Sequence, residues 1–229
     1  MKNLKKINIL ILCLFALAGM TSCEYDNFDA PESMLTGNVV FEGEPISVRS
    51  AGVELELWQR GFELFQKIPV HVAADGSFSA KLFDGEYQMT QLNNNGPWIN
   101  NPDTLHVTVR GNTVVDFEVT PYFIIPNASF SLSGTEVTAT FEAQRAFQNA
   151  NIELIGLYMG TTYHTDRVRN EAAFEITAAN LAQPEGQFVV RGQIPAGLRS
   201  RSQIHVRVGV KNVGTEELVY SLPFLLQLN

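Results

Sequence analysis

Hydrophobicity in this chain alternates residue by residue through segment after segment, and no part of the first half carries the 3.6-residue period of a helix. Successive side chains of a strand point to opposite faces, so a period of two selects half-buried strands. Val53, Leu55 and Leu57 define one such face; Ile68, Val70 and Val72 define another. Phe78, Ala80 and Leu82, then Leu105, Val107 and Val109, then Val115, Phe117 and Val119 continue the series. Asp75-Gly76, Asp84-Gly85 and Gly111-Asn112 stand between these runs, and the first two fall at the 8–12-residue spacing of a β-sandwich.

The first series ends at Thr120-Pro121-Tyr122, and a second begins near Ser129. Phe130 and Leu132, then Val137, Ala139 and Phe141, then Ile152 and Leu154 mark its strands, followed by Phe174 and Ile176, and by Phe188 and Val190. Ile204, Val206, Val208 and Val210 form the last, with His205, Arg207 and Lys211 on its other side, which predicts one wet face. Only residues 177–182 have the pattern of a helical turn. The predicted fold class is all-β, with two β-sandwich domains in series over residues 34–121 and 122–229.

The first residues carry a different signal. Lys2, Lys5 and Lys6 precede a short apolar run at residues 9–18, and Met20-Thr21-Ser22-Cys23 follows. That run is shorter than the roughly 20 apolar residues a spanning helix needs. The segment resembles the lipobox of type II signal peptides, which implies a lipoprotein signal peptide over residues 1–22 and lipidation at Cys23; the alternative is an ordinary secretory signal. Residues 23–33 read as an acidic tether. Cleavage before Cys23 would remove Cys13, leaving one cysteine and no internal disulfide.

Charge narrows the partners. The formal charge of −8 becomes −11 without the three lysines of residues 1–22. Residues 24–121 hold fifteen acidic and five basic side chains, whereas residues 122–229 hold nine and eight. An acidic first half argues against nucleic acid and against electrostatic adhesion to anionic lipid, so membrane attachment is expected through N-terminal lipid alone.

Leu35-Thr36-Gly37-Asn38-Val39-Val40, Asp75-Gly76-Ser77-Phe78 and Gly85-Glu86-Tyr87 resemble the carboxypeptidase regulatory-like, or prealbumin-like, domains. Asn95-Gly96-Pro97-Trp98, Asp103-Thr104 and the run from Val115 to Tyr122, with Ile125 to Asn127 beyond, resemble DUF3823, a family of Bacteroidetes outer-membrane lipoproteins. That resemblance implies a prealbumin-like domain followed by an Ig-like one. It also implies a polysaccharide-utilisation setting beside a starch-utilisation-type transporter and its capture lipoprotein. It brings no ligand and no catalytic residues. Glu24, Asp26 and Asp29 loosely resemble the surface-export signal of such lipoproteins, which implies exposure on the cell surface.

Chemistry-bearing residues are sparse. His71, His106, His164 and His205 lie far apart in sequence without metal-ligand spacing, and no nucleophile elbow or phosphate loop occurs, so neither enzyme nor cofactor nor metal site is expected. Glu54 and Glu56 share a strand face at about 6–7 Å, a separation open to paired carboxylates but routine for an acidic surface. A binding role has better candidates. Trp98 lies in an amide-rich segment with Asn95 and Asn100, where an indole face and amide groups suit a sugar; its alternative is to fold back as a lid or pack on the second domain. Trp58 falls on the face of Glu54 and Glu56, as a sugar platform or, slightly favoured, a seal between the domains. Tyr163 stands with Tyr158, His164, Arg167 and Arg169 in a polar stretch of the second domain, and Arg199 and Arg201 mark another loop. Asp103-Thr104-Leu105 resembles a Bacteroidetes O-glycosylation sequon, accessible at Thr104 if the following strand is an edge.

Overall fold

The computed structural model describes residues 30–61 and 65–228, and Pro31–Asn229 is one compact unit. The expected signal segment and Cys23, with the tether up to residue 29, lie outside the described residues. Nine strands make the first sandwich among the described residues: β1 (Ser33–Phe41), β2 (Glu44–Pro45), β3 (Glu54–Trp58), β4 (Lys67–His71), β5 (Ser77–Leu82), β6 (Gly85–Gln91), β7 (Leu105–Val109), β8 (Asn112–Val114) and β9 (Phe117–Glu118). One sheet runs β4-β3-β6-β7, all antiparallel. Pro69 belongs to its edge strand β4, where a missing N–H costs the ladder little. The other sheet is built on β1, which pairs antiparallel with β2 and β5 and parallel with β8 and β9.

The run expected as one strand from Val115 to Val119 is interrupted, because β8 and β9 follow two halves of β1 and the chain crosses close to Gly37 between them. A Cβ at Gly37 would lie 1.7 Å from the Val115 carbonyl oxygen, so only glycine admits this approach. Asp116, exposed at the break, accepts the Asn38 backbone N–H at 2.9 Å with its carboxylate.

The second sandwich comprises β10 (Phe123–Ile124), β11 (Ala128–Ser133), β12 (Glu136–Arg145), β13 (Ile152–Gly160), β14 (Ala172–Thr177), β15 (Gly186–Gln193), β16 (Gln203–Asn212), β17 (Leu218–Tyr220) and β18 (Phe224–Gln227). β12 lies between β11 and β15, with β10 at its far end; the opposing sheet runs β14-β13-β16, and β17 and β18 pair with β16. A 3₁₀ turn at Ala178–Asn180 occupies the place of the expected helical turn. The chain is thus all-β, two sandwiches in series.

The wet face expected on the last long strand is a correction. Arg207 is 0% exposed, enclosed between buried Asp166 of the loop after β13 and the Ala74 turn of the first sandwich; Lys211, paired with Glu153, and Asn212 are also buried. Arg207 donates to the Ser221 carbonyl at 2.6 Å and, across the junction, to the Ala74 carbonyl at 2.7 Å; its guanidinium lies 4.4 Å from the Tyr220 ring centroid. Burial pushes its pKa down to about 10, although Tyr220, Asp166, Tyr163 and Asp75 pull the other way. Two further links cross the junction: Arg49 grips Glu217 with both ends of its guanidinium, and the Tyr220 N–H donates to the Ser47 carbonyl at 3.0 Å. One continuous apolar cluster, from Leu35 to Leu226, draws on both sandwiches.

Candidate functional site

The outward face of β4-β3-β6-β7 carries the first site. Alternation on β3 buries Leu55 and Leu57 and turns Glu54, Glu56 and Trp58 outward. Register then sets the neighbours: Lys67, Trp58, Gln88 and His106 make one cross-strand row, while Glu56 and Thr90 pair in the next. The Trp58 indole N–H donates to the Thr90 hydroxyl at 3.3 Å, and its ring lies 5.2 Å from Phe65 at 31°. Phe65 is 50% exposed, with Arg60 5.5 Å from its ring centroid. Two aromatic rings thus sit on a sheet face rich in amide, hydroxyl, imidazole and charged groups. Sequence reasoning found Trp58 but missed Gln88, Thr90 and His106, since cross-strand register leaves no local signal, and Phe65, which reaches Trp58 from the connection before β4.

The seal expected of Trp58 is not its role. Arg49, which precedes β3, and Ala74, which follows β4, join the sandwiches at the end of the sheet remote from Trp58. Glu54 and Glu56 are held together by Lys67, whose ammonium donates to them at 2.8 and 3.0 Å; those bonds raise the Lys67 pKa. A bridged pair with a lysine between the carboxylates is an ionic surface cluster, with neither carboxylate left free beside the other.

The amide-rich segment is a second correction. Trp98 is 4% exposed and belongs to the apolar core, so it offers no face to a sugar. Its ring covers Gly96, where a Cβ would come within 2.2 Å of it, and Trp98 bridges to Pro121. The flanking backbone binds the inter-domain link, with Ile99 N–H donating to Thr120 and Tyr122 N–H to Pro97, both at 3.0 Å. The amides are consumed internally. Asn95 accepts the Glu54 N–H at 2.6 Å and donates to the Gly52 carbonyl at 3.2 Å; Asn100 and Asn94 bond reciprocally at 2.8 Å. Asn95 and Asn100 therefore shape the loop that seats Trp98. This is the lid alternative, and it removes all three residues from the ligand-binding set.

In the second sandwich Tyr163 is exposed and meets His164 and His205 edge-on at 5.9 and 6.3 Å. Tyr158 parts from it: buried in β13, it donates its hydroxyl to Glu175 at 2.9 Å, and Arg167 holds the same carboxylate at 2.8 Å. Burial pushes the Glu175 pKa up, but the bonds from Arg167 and Tyr158 outweigh it and leave the carboxyl below its usual range. Arg199 and Arg201 are exposed loop residues. Thr104 is exposed and immediately precedes β7, an edge strand, which meets the stated condition for access. Among the described residues no three His, Cys, Asp or Glu side chains are placed to hold a metal, and no helix is long and apolar enough to cross a membrane.

Two family models match this chain in order: the DUF3823 N-terminal domain, described as a protein of unknown function, over residues 33–120, and the DUF3823 C-terminal domain of unknown function over residues 123–223. A solved DUF3823 family protein from Bacteroides ovatus is 39% identical, covers 86% of this chain and 100% of its own, and superposes with a TM-score of 0.80. The chain belongs to the DUF3823 family. A second DUF3823 structure, from Parabacteroides merdae, is 35% identical over 87% of this chain and 100% of its own, also with a TM-score of 0.80. A Bacteroides uniformis protein described as a "putative carbohydrate binding protein" covers 86% of this chain and 100% of its own with a TM-score of 0.72; at 16% identity it shows the fold alone. No curated protein matches the chain. The matched DUF3823 models indicate no catalytic family.

Proposed function

We propose that this DUF3823 protein is a non-catalytic outer-membrane lipoprotein, anchored through Cys23, displayed at the cell surface, and binding glycan on the open face of its first sandwich. The observation that carries the binding reading is the Trp58–Phe65 pair, partly exposed and ringed by Gln88, Thr90, His106 and Lys67. Pyranose C–H faces stack on aromatic rings while hydroxyls exchange hydrogen bonds with amides and charged groups. The Bacteroides uniformis fold relative is described in terms of carbohydrate binding, which supports the same reading. The anchor rests on the pattern around Cys23, and the polysaccharide-utilisation setting, with its transporter and capture lipoprotein, rests on the family resemblance.

One pyranose on one ring pair contributes only about 1–2 kcal/mol of apolar burial. A monosaccharide should then bind no tighter than roughly millimolar, and polymers should gain through repeated engagement. Fluorescence titration with oligosaccharides of increasing length tests this, because Trp58 is partly exposed and Trp98 is not. The expected result is saturable quenching that disappears in Trp58→Ala; quenching retained in that variant contradicts the site. A second reading, a rigid spacer or adhesion module, is favoured by the Arg49–Glu217 and Arg207–Ala74 links across the junction. Failure of every glycan to bind, with the junction intact, would favour it.

A further inference from the structure

Between the sandwiches lies a cleft of about 680 Å³, within the size range of dedicated binding sites. It is built by segments far apart in sequence: the β1–β2 hairpin, the chain just after β10, and the chain leaving β17. One wall is apolar, made by Phe41, Ile124, Ile125, Pro126 and Leu222; Leu222 is 62% exposed and carries the apolar surface outside the cleft. The opposite lip is acidic. Glu42 occupies the hairpin tip with φ +53, Glu44 follows it, and Asp75 lies deeper. Glu42 and Glu44 are exposed and form no ion pair among the described residues. Ser47 also lines the cleft; it is 7% exposed, and its hydroxyl has no hydrogen-bond partner among the described residues.

We propose that this cleft receives a lysine or arginine side chain presented on an extended segment of a partner protein, with apolar residues flanking the basic one. Charge complementarity selects the occupant. The lip lies in the half of the chain with fifteen acidic and five basic residues, where a cation is favoured and a carboxylate or phosphate opposed. The aliphatic wall accepts the hydrocarbon stem, and Glu42 and Glu44, exposed on the same cleft, are the partners for the charge at its end. Exposed carboxylates contribute little alone, so flanking apolar residues against Leu222 must supply much of the affinity. That requirement favours a peptide segment over a free amine. The site is separate from the Trp58 face and does not depend on the glycan reading.

Isothermal titration of the full chain in mild detergent tests this with three probes: the capped peptide Ala-Leu-Lys-Ile-Lys-Leu-Ala, the same peptide with both lysines acetylated, and cadaverine. The basic peptide should bind saturably, and acetylation should weaken it by about tenfold or more. The Glu42→Gln, Glu44→Gln double variant should show a similar loss, Leu222→Ser a loss of about threefold, and Trp58→Ala no change. All these positions are exposed or partly exposed, so the variants should fold, with unfolding midpoints as the check. Equal binding of the acetylated peptide, undiminished binding by the double variant, or no saturable binding of the basic peptide would overturn the proposal. Cadaverine binding as tightly as the peptide would also overturn it, by assigning the cleft to a small amine.

Discussion

Two strand faces in this protein carry almost the same sequence pattern and meet opposite fates. On β3, Glu54, Glu56 and Trp58 alternate with buried Leu55 and Leu57, and their face is open to solvent. On β16, His205, Arg207 and Lys211 alternate with buried Ile204, Val206, Val208 and Val210, yet Arg207 is fully enclosed. Alternation says which residues share a face; it does not say whether anything lies on that face. The cover over β16 comes from a loop and from the first sandwich, both remote in sequence. A polar side chain there is part of the structure, whereas the face of β3 stays open to solvent, with Glu54 and Glu56 tied only to Lys67 on the same surface.

Substitutions should expose this contrast, with the largest effects in the enclosed parts. Trp98→Ala should cost about 3–5 kcal/mol in urea unfolding, as expected when a buried indole leaves a cavity; a loss below about 1 kcal/mol would mean that the loop is not part of the core. Arg207→Ala should cost about 3 kcal/mol, since it strands the Ser221 and Ala74 carbonyls and leaves buried Asp166 with less compensation. Arg207→Lys should recover little of this, because an ammonium cannot reproduce the planar fork over Tyr220. On the open face, Lys67→Ala should leave the unfolding midpoint unmoved.

Acid should act at the junction and on the second sandwich. The Ser77 hydroxyl bond holds the Asp75 pKa below its ordinary value, with the Ser77 backbone bond adding to it, and Glu175 is depressed by Arg167 and Tyr158 against its burial. A carboxyl with a lowered folded pKa binds protons more readily when unfolded. Its contribution is therefore present above about pH 4 and is lost as pH falls through the folded value. Asp75→Asn should flatten that decline in pH-dependent unfolding; an unchanged slope would remove Asp75 from the account. Trp58→Ala should change stability by less than about 1 kcal/mol, as expected for a partly exposed ring.

Much of the fold was legible in the chain. The alternating sets at Leu55 and Leu57, at Phe78–Leu82 and at Leu105–Val109 lie on strands as read, with Val53 just ahead of β3, because each strand keeps one face against the core. The pattern failed where a strand is buried on both sides: β13 shows no alternation from Leu154 to Gly160, so only its first residues stood out. It failed at Val115–Asp116 because the break answers to Gly37, nearly eighty residues earlier. The site was less legible than the fold. Trp98, Asn95 and Asn100 have the composition of a sugar site, but local hydrogen bonds and Pro121 use them to close the core. Gln88 and His106 join Trp58 only through register, Phe65 reaches it from the connection before β4, and the cleft joins three segments that no local pattern connects.

The claim that the open face of β3 is the functional one is tested most directly by affinity electrophoresis through gels containing a panel of polysaccharides, with thermal unfolding of the same samples. At least one polysaccharide should retard the native chain, and Trp58→Ala should abolish that retardation without moving the unfolding midpoint by more than a few degrees. Retardation that survives Trp58→Ala, or no retardation by any member of a broad panel, would contradict the claim.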